Sequence, residues 1–338
     1  MKSCDSGMFR SSKKVVHAAV LVGVATMGIA SEAFADYPKR PISLVIPYGT
    51  GGATDISARA LSQTLSAQVP KPIVLVNRTG AGGVTGSASV KAASGNGYTM
   101  LAARVGSHTV NPAMKSKLPY ALDDFKFAGV YEINPVVCAT SSDSGIDSID
   151  QLIDMVKKTP GSVSYSSSGV GSMNQLAGAM VMDAFGVEEP LKNVVHLPMR
   201  GGGAAATAVL TGTATFICTN SSSLAGFIKN GQMNPLFVTT KERVKGIKAP
   251  TAAELGHPEL ESLVGWTGIA GPSSLDSRVV DAWAGWLKTA TSDPLFIRKM
   301  ENLGSVVVSM NPEESTNFVQ NQYQTFKVLV DKLGMKVN

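Results

Sequence analysis

The sequence predicts an α/β protein of two lobes, each lobe a mixed sheet flanked by helices. Three observations carry this expectation. The chain has 338 residues, enough for about two domains. Short β-rich runs alternate with helix-period runs, the pattern of strands joined by helical crossovers. Hydrophobic residues make up 44% and charged residues 16%, so a sizeable core can form and a charge-rich disordered chain is excluded.

The alternation begins with Ile42-Ser43-Leu44-Val45-Ile46-Pro47, a short buried strand. Residues 55–68 follow as a helix, with Thr54 or Asp55 as N-cap and Ile56, Ala60, Leu61 and Leu65 on one face. Residues 73–77 form a second strand, a glycine-rich turn and small-residue helix run to Ala93, and residues 98–102 form a third strand. The middle repeats the pattern, with a strand at 136–139 and then a helix opened by Ser148. There Gln151 completes a capping box, and Ile149, Leu152, Ile153 and Val156 recur at helical spacing. Strands at 163–165 and 194–197 alternate with helices at 173–185 and 204–210, and strands at 215–218 and 236–238 follow.

The end of the chain reads as mostly helical. Residues 276–291 place Val279, Val280, Trp283 and Leu287 on one side. The last helix has Asn311 as N-cap, Pro312 at its first position and Glu314 at its third. Its buried stripe is Phe318, Val319, Gln322, Tyr323, Phe326, Leu329, Val330 and Leu333. No fixed-period repeat or low-complexity linker occurs, so strands are expected to join the lobes. The expected boundaries are 36–137 for the first part of lobe 1, 138–248 for lobe 2, and 249–338 for the rest of lobe 1.

The front of the chain differs from the rest. Arg10, Lys13 and Lys14 precede an apolar stretch at residues 15–30, which Ala33-Phe34-Ala35 closes. That order reads as a secretory signal peptide over residues 1–35, cleaved to leave Asp36 first. The stretch is short and glycine-containing for a span of about 20 residues. The remainder holds 26 basic and 23 acidic residues, a balance of +3 that is too weak for a nucleic-acid footprint. Cys4 leaves with the signal. Cys138 and Cys218 remain and read as two buried thiols, although export permits one disulfide.

Enzyme chemistry finds little support. His108, His196 and His257 are far apart and lack metal-ligand spacing, so no metal and no cofactor are expected. Neither a G-x-S-x-G elbow nor a phosphate-binding G-x-x-x-x-G-K-[ST] loop occurs. Three turns instead lead from strands into helices and are rich in Gly, Ser and Thr: residues 48–55, 166–172 and 199–203. Helix N-termini expose unpaired N–H groups and a partial positive charge, and glycines let a ligand approach the backbone. Such turns hold carboxylates or phosphates, at the carboxyl ends of strands.

An ordered set of short motifs sharpens this reading. Tyr37-Pro38-Lys39-Arg40-Pro41-Ile42-Ser43-Leu44-Val45-Ile46-Pro47 precedes Gly51-Gly52-Ala53-Thr54-Asp55. Val76-Asn77-Arg78, Gly80-Ala81-Gly82-Gly83, Gly97-Tyr98-Thr99, and His108 with Asn111-Pro112-Ala113 come next. Lys117-Leu118-Pro119-Tyr120, Leu176-Ala177-Gly178, His196-Leu197-Pro198 with Arg200-Gly201, and Pro250-Thr251 with Glu254 complete the series. Over residues 37–335 the chain resembles the Bug-type receptors, the periplasmic solute-binding proteins of tripartite tricarboxylate transporters.

The resemblance implies a type II-like, two-lobed periplasmic-binding-protein fold. It implies a monomer in the periplasm that closes on a small carboxylate and delivers it to integral-membrane permease subunits, without catalysis. The implied ligand set is Tyr48, Gly51, Gly52, Ala53, Thr54 and Asp55, then Arg104 and Ser107. Ser168, Gly169, Gly171, Ser172 and Asn174 of the second lobe's loop join them, with Arg200 and Asn220. Departures from the family pattern bear on specificity. Arg104 stands where a small polar residue is usual, and a guanidinium can grip a carboxylate with two hydrogen bonds. Cys218-Thr219-Asn220 replaces a usual F-D-N, which removes an acidic partner for a ligand ammonium at that point, and Met199-Arg200-Gly201 replaces Y-K-G. Val170 and Met173 make the second loop less polar than usual, which suits a flat or aromatic dicarboxylate such as terephthalate. His108 is expected to be a structural hydrogen-bonder, Tyr48 could flank the ligand, and Trp266 could serve core or pocket. Two other readings stand beside this one: a ligand sensor for a two-component system, and an exported hydrolase-like enzyme using Ser or His.

Overall fold

The chain was analysed as a computed structural model that describes residues 37–337, and the elements below belong to the unit Arg40–Asn338. The expected signal segment, residues 1–35, lies outside the described residues. Strand β1 (Ile42–Ile46) sits between β2 (Ile73–Asn77) and β3 (Thr99–Arg104), parallel to both. The crossovers are the helices Ala53–Leu65 and Val84–Lys91. The first helix begins two residues earlier than expected. Its N-cap is Gly52, not Thr54 or Asp55, and Ile56 is 36% exposed rather than on the buried face.

The 17-residue strand β4 (Phe125–Ser141) organises the rest. Through Pro135 it pairs antiparallel with β9 (Val264–Pro272), which in turn pairs antiparallel with β3. β10 (Val306–Met310) also pairs antiparallel with this half. From Val136 onward β4 pairs with β7 (Phe216–Asn220) and with β8 (Met233–Val238). β5 (Val163–Ser167) lies between β7 and β6 (Val194–Pro198), parallel to both. The fold is thus two mixed sheets flanked by helices, joined through a strand that each sheet counts as its own.

The end of the chain is mostly helical as expected, with helices Ser277–Thr291, Pro294–Asn302 and Pro312–Leu333, but the sequence reading missed β9 and β10 and gave the middle strand only four of the seventeen residues of β4. β9 reads poorly as a strand because Gly265, Gly268 and Gly271 interrupt it, and all nine of its residues are buried. Gly268 is required by close strand packing: a Cβ there would lie 2.8 Å from the Gly129 carbonyl oxygen.

Locally coded features agree with the sequence. Ser148 and Gln151 form the capping box of helix Ile149–Lys158, whose Ile149, Leu152, Ile153 and Val156 are buried. Asn311 and Glu314 cap the helix Pro312–Leu333, which buries Val319, Gln322, Phe326, Leu329 and Val330, while Phe318, Tyr323 and Leu333 are partly buried. Trp266 belongs to the core, fully buried, with Nε1 donating to Gln322 Oε1 at 2.7 Å. Cys138 and Cys218 face each other in register across β4 and β7 with Cα atoms 4.0 Å apart, and they form a disulfide. This corrects the reading of two buried thiols. Eighty residues separate them, so only strand pairing could show their adjacency.

Candidate functional site

The first glycine-rich loop, residues 47–52, is shaped by Asp55. This buried carboxylate accepts from Gly51 N at 2.9 Å, Arg59 Nε at 2.8 Å and Nη2 at 3.0 Å, and Asn77 Nδ2 at 3.0 Å. The bonded Arg59 guanidinium is the main reason its pKa falls to about 2. Asn77 Nδ2 also donates to the Tyr48 carbonyl, so one side chain ties both ends of the loop. Gly52 N donates to Gly49 O. Asp55, Gly51 and Gly52 therefore spend these groups inside the protein. The helix itself opens at Ala53.

Tyr48 projects from this loop. Its hydroxyl donates to Gly82 O at 3.4 Å, and burial pushes its phenol up. The ring fits because residue 106 is glycine: a Cβ there would lie 2.6 Å from the Tyr48 hydroxyl. Opposite, Asn111 Nδ2 donates to Gly82 O and Lys115 Nζ to Ala81 O, each at 2.8 Å. They hold a turn in which Ala81 adopts φ 49°, a strained value for a residue with a Cβ.

Arg104 ends β3, and a π-helical turn, Gly106–Val110, follows. Ser107 Oγ donates to Arg104 O at 3.1 Å and bonds His108 Nδ1 at 2.9 Å, so this serine serves the turn. His108 is fully buried among Tyr120, Phe125, Phe127 and Trp266. Burial pulls its imidazole down to about 3, so it is neutral at physiological pH. Its position is that of a structural group.

Arg104 is 7% exposed and does not stand alone. Its Nη1 donates to Thr267 Oγ1 at 3.1 Å and lies 3.8 Å from Glu132 Oε1. Thr267 Oγ1 in turn donates to Glu132 Oε1. The register of β3, β9 and β4 places these three residues side by side in a polar row. Glu132 and Thr267 were missed by the sequence reading, which held no signal for them because their role depends on that register.

Two cavities adjoin the row. One, of about 530 Å³, is lined by Tyr48, Gly82, Arg104, Gly106 and Lys115 on one side. On the other side stand Ser168, Val170, Gly171, Ser172, Met173, Asn174 and Asn220. The other cavity, of about 370 Å³, is lined by Ala53, Ser57, Glu132, Asn134, Ser222, Ser223 and Ser305 among others. Of the expected ligand set, Tyr48, Arg104, Ser168, Gly171, Ser172, Asn174 and Asn220 meet at the first cavity, and Ala53 at the second. Gly51, Gly52, Thr54, Asp55, Ser107, Gly169 and Arg200 are on neither wall. Thr54, Asp55 and Ser107 are buried inside the protein, and Arg200 is exposed.

The second loop is braced from behind. Ser167 Oγ bonds His196 Nε2 at 2.6 Å. Gly171 N donates to Gln175 Oε1 at 2.7 Å, while Ser172 caps the helix Met173–Ala184 by accepting from Gln175 N. Val170 is 64% exposed at the loop's tip. Among the described residues no cluster of His, Cys, Asp or Glu could hold a metal ion, and no helix is long and apolar enough to cross a membrane.

Two mixed sheets sharing one strand, with polar glycine-rich loops from both meeting at a cleft, define a two-lobed solute-binding protein. The chain belongs to the receptor family of tripartite tricarboxylate transporters, whose family description, "Tripartite tricarboxylate transporter family receptor", matches residues 57–335. It is 28% identical to protein BugT of Bordetella pertussis over 95% of this chain and 98% of that one. The solved structure of the periplasmic binding protein BugD is similar at 28% identity and a TM-score of 0.74, covering 89% of this chain and 99% of that one. The structure of the R. palustris protein Rpa4515 with adipate shares the fold, at 23% identity and a TM-score of 0.77, over 88% of this chain and 99% of that one. The family is described as receptors, and BugD as a periplasmic binding protein.

Proposed function

We propose that this protein is a periplasmic receptor that captures a small organic carboxylate between two lobes and passes it to the membrane subunits of a tripartite transporter. The observation that carries the reading is the first cavity. Residues from both sheets line it, and Arg104 and Lys115 supply cations on its wall. The adipate seated in the R. palustris relative is a carboxylate of the same kind. Export through a cleaved leader at residues 1–35 agrees with the Cys138–Cys218 disulfide, because such bonds persist in oxidising compartments.

The proposed lobes are residues 36–137 with 249–338, and residues 138–248. In support, β4 exchanges partners between Pro135 and Val136. The return crossing extends further, since Thr251 still bridges to Val238 and β9 begins at Val264. The expectation of an aromatic dicarboxylate such as terephthalate drew on the less polar second loop together with Arg104 as an added cation. Because Glu132 shares its charge, the proposal stays at the level of a carboxylate, with terephthalate as one arm of the test.

Calorimetric titration of the purified protein against aliphatic and aromatic mono-, di- and tricarboxylates tests this. One carboxylate class binding tightly, with Arg104→Ala weakening it at least about tenfold, is the expected result. No binding by any carboxylate would remove the reading.

A further inference from the structure

The polar row and the asparagines beside it hold buried acceptors that no donor among the described residues uses. Glu132 is 1% exposed and Asn134 2% exposed. Among the described residues, Glu132 Oε2, Asn134 Oδ1 and Asn220 Oδ1 have no hydrogen-bond donor. The other ends of two of these side chains are committed: Glu132 Oε1 accepts from Thr267, and Asn134 Nδ2 donates to Ser305 Oγ at 2.7 Å. Glu132 stands two residues before Asn134 on β4, and the two asparagine oxygens flank one point on β9, Gly265. A Cβ on it would sit 2.8 Å from Asn220 Oδ1 and 3.1 Å from Asn134 Cβ. A buried acceptor without a donor costs free energy, more so when it is charged, and is recovered when a ligand donates to it.

We infer that Glu132 is a specificity-determining residue: it makes the cleft choose a carboxylate that bears an N–H or O–H donor over the plain dicarboxylate of the same skeleton. The inference rests on the carboxylate reading above. Arg104 and the second loop take the ligand's carboxylate in the first cavity. The ligand crosses the Arg104–Thr267–Glu132 row and presents its other end to Glu132 and Asn134. A second carboxylate there meets the Glu132 carboxylate, 3.8 Å from the Arg104 guanidinium, a cation already shared. Like charges at such range repel, and neither brings a proton. A hydroxyl or amino group meets an acceptor. Two helix N-termini, at Ala53 and at Ser222 and Ser223, also face the second cavity, and Glu132 is the negative charge they complement.

Matched ligands, each with one carboxylate exchanged for a donor, test this by calorimetry: terephthalate against 4-hydroxybenzoate, succinate against 3-hydroxypropanoate and β-alanine, and glutarate against 4-hydroxybutanoate and 4-aminobutanoate. In the wild type, the donor-bearing member of the set that binds should be tighter by more than about tenfold, since a site built around a donor rejects the analogue lacking it. Glu132→Gln should narrow that ratio to a few-fold, by relieving the repulsion of the plain dicarboxylate. A wild type that binds the plain dicarboxylate as tightly overturns the inference, as does an unchanged ratio in Glu132→Gln. Because that variant leaves Arg104 uncompensated, its melting is checked first, and the wild-type ratios decide alone if it does not fold. No binding anywhere in the set would instead remove the carboxylate reading itself.

Discussion

His108 and Gly106 show how single residues hold the site without touching a ligand. The imidazole is packed among aromatic rings and held near pKa 3 by burial, against 6.5 when unfolded. Between these values the unfolded chain binds one more proton than the native one. Stability from this group is therefore complete above about pH 6.5 and is lost as pH falls toward 3. The slope in that window should approach 1.4 kcal/mol per pH unit for this group, roughly. Denaturant midpoints measured from pH 4 to 7 should flatten in His108→Phe relative to the wild type; equal slopes would show that the ring titrates normally. Gly106 acts by absence. A methyl group there meets the Tyr48 hydroxyl, so Gly106→Ala should cost about 1–3 kcal/mol by overpacking. It should also weaken ligand binding through a displaced Tyr48, read in the same titration as the wild type. Unchanged affinity would separate Tyr48 from the ligand.

Among the elements, β4 carries the most consequence. Its first half belongs to the sheet of Arg104 and its second half to the sheet of the loop 168–174, so one strand sets the distance between the two walls. The Cys138–Cys218 disulfide clamps it to β7 just beyond the change of partners. Closing a loop of 80 residues gives a loop-entropy contribution of about 4.5 kcal/mol. The double variant Cys138→Ser/Cys218→Ser should lower unfolding free energy by about 2–5 kcal/mol in urea melts. Reductant should move the wild type the same way and leave the variant unmoved. A wild type indifferent to reductant would mean the bond contributes no stability.

For the whole molecule, the reading requires that ligand favour a state in which the two walls approach. Shifting such an equilibrium from about 1:99 to 99:1 takes roughly 10⁴-fold tighter binding to the closed state, so contacts must come from both sheets. Ser168, Asn174 and Val170 are the second-sheet groups placed to supply them. Small-angle scattering with saturating ligand should give a smaller radius of gyration than without it. Asn174→Ala should reduce both the affinity and the contraction. Binding with an unchanged radius would argue for a rigid cleft.

The amino-acid sequence by itself determined what is local. Periodicity placed most helices and the parallel strands, the Ser148–Gln151 and Asn311–Glu314 caps marked two helix starts, and the glycine-rich turns pointed to the cleft. Tyr48 and Ser168, which line the cleft, sit in those turns, whereas Arg104 and Asn174 came from the resemblance to the receptor family. Asp55 closes the first of those turns and Ser107 follows Arg104, but their hydrogen bonds, invisible in a linear pattern, turn them inward. Tertiary structure alone decided the rest. Strand register brought Arg104, Glu132 and Thr267 together from three distant segments, and it set Cys138 against Cys218. Long-range pairing chooses such neighbours through packing and closure of the whole sheet, and no short window of sequence carries that information.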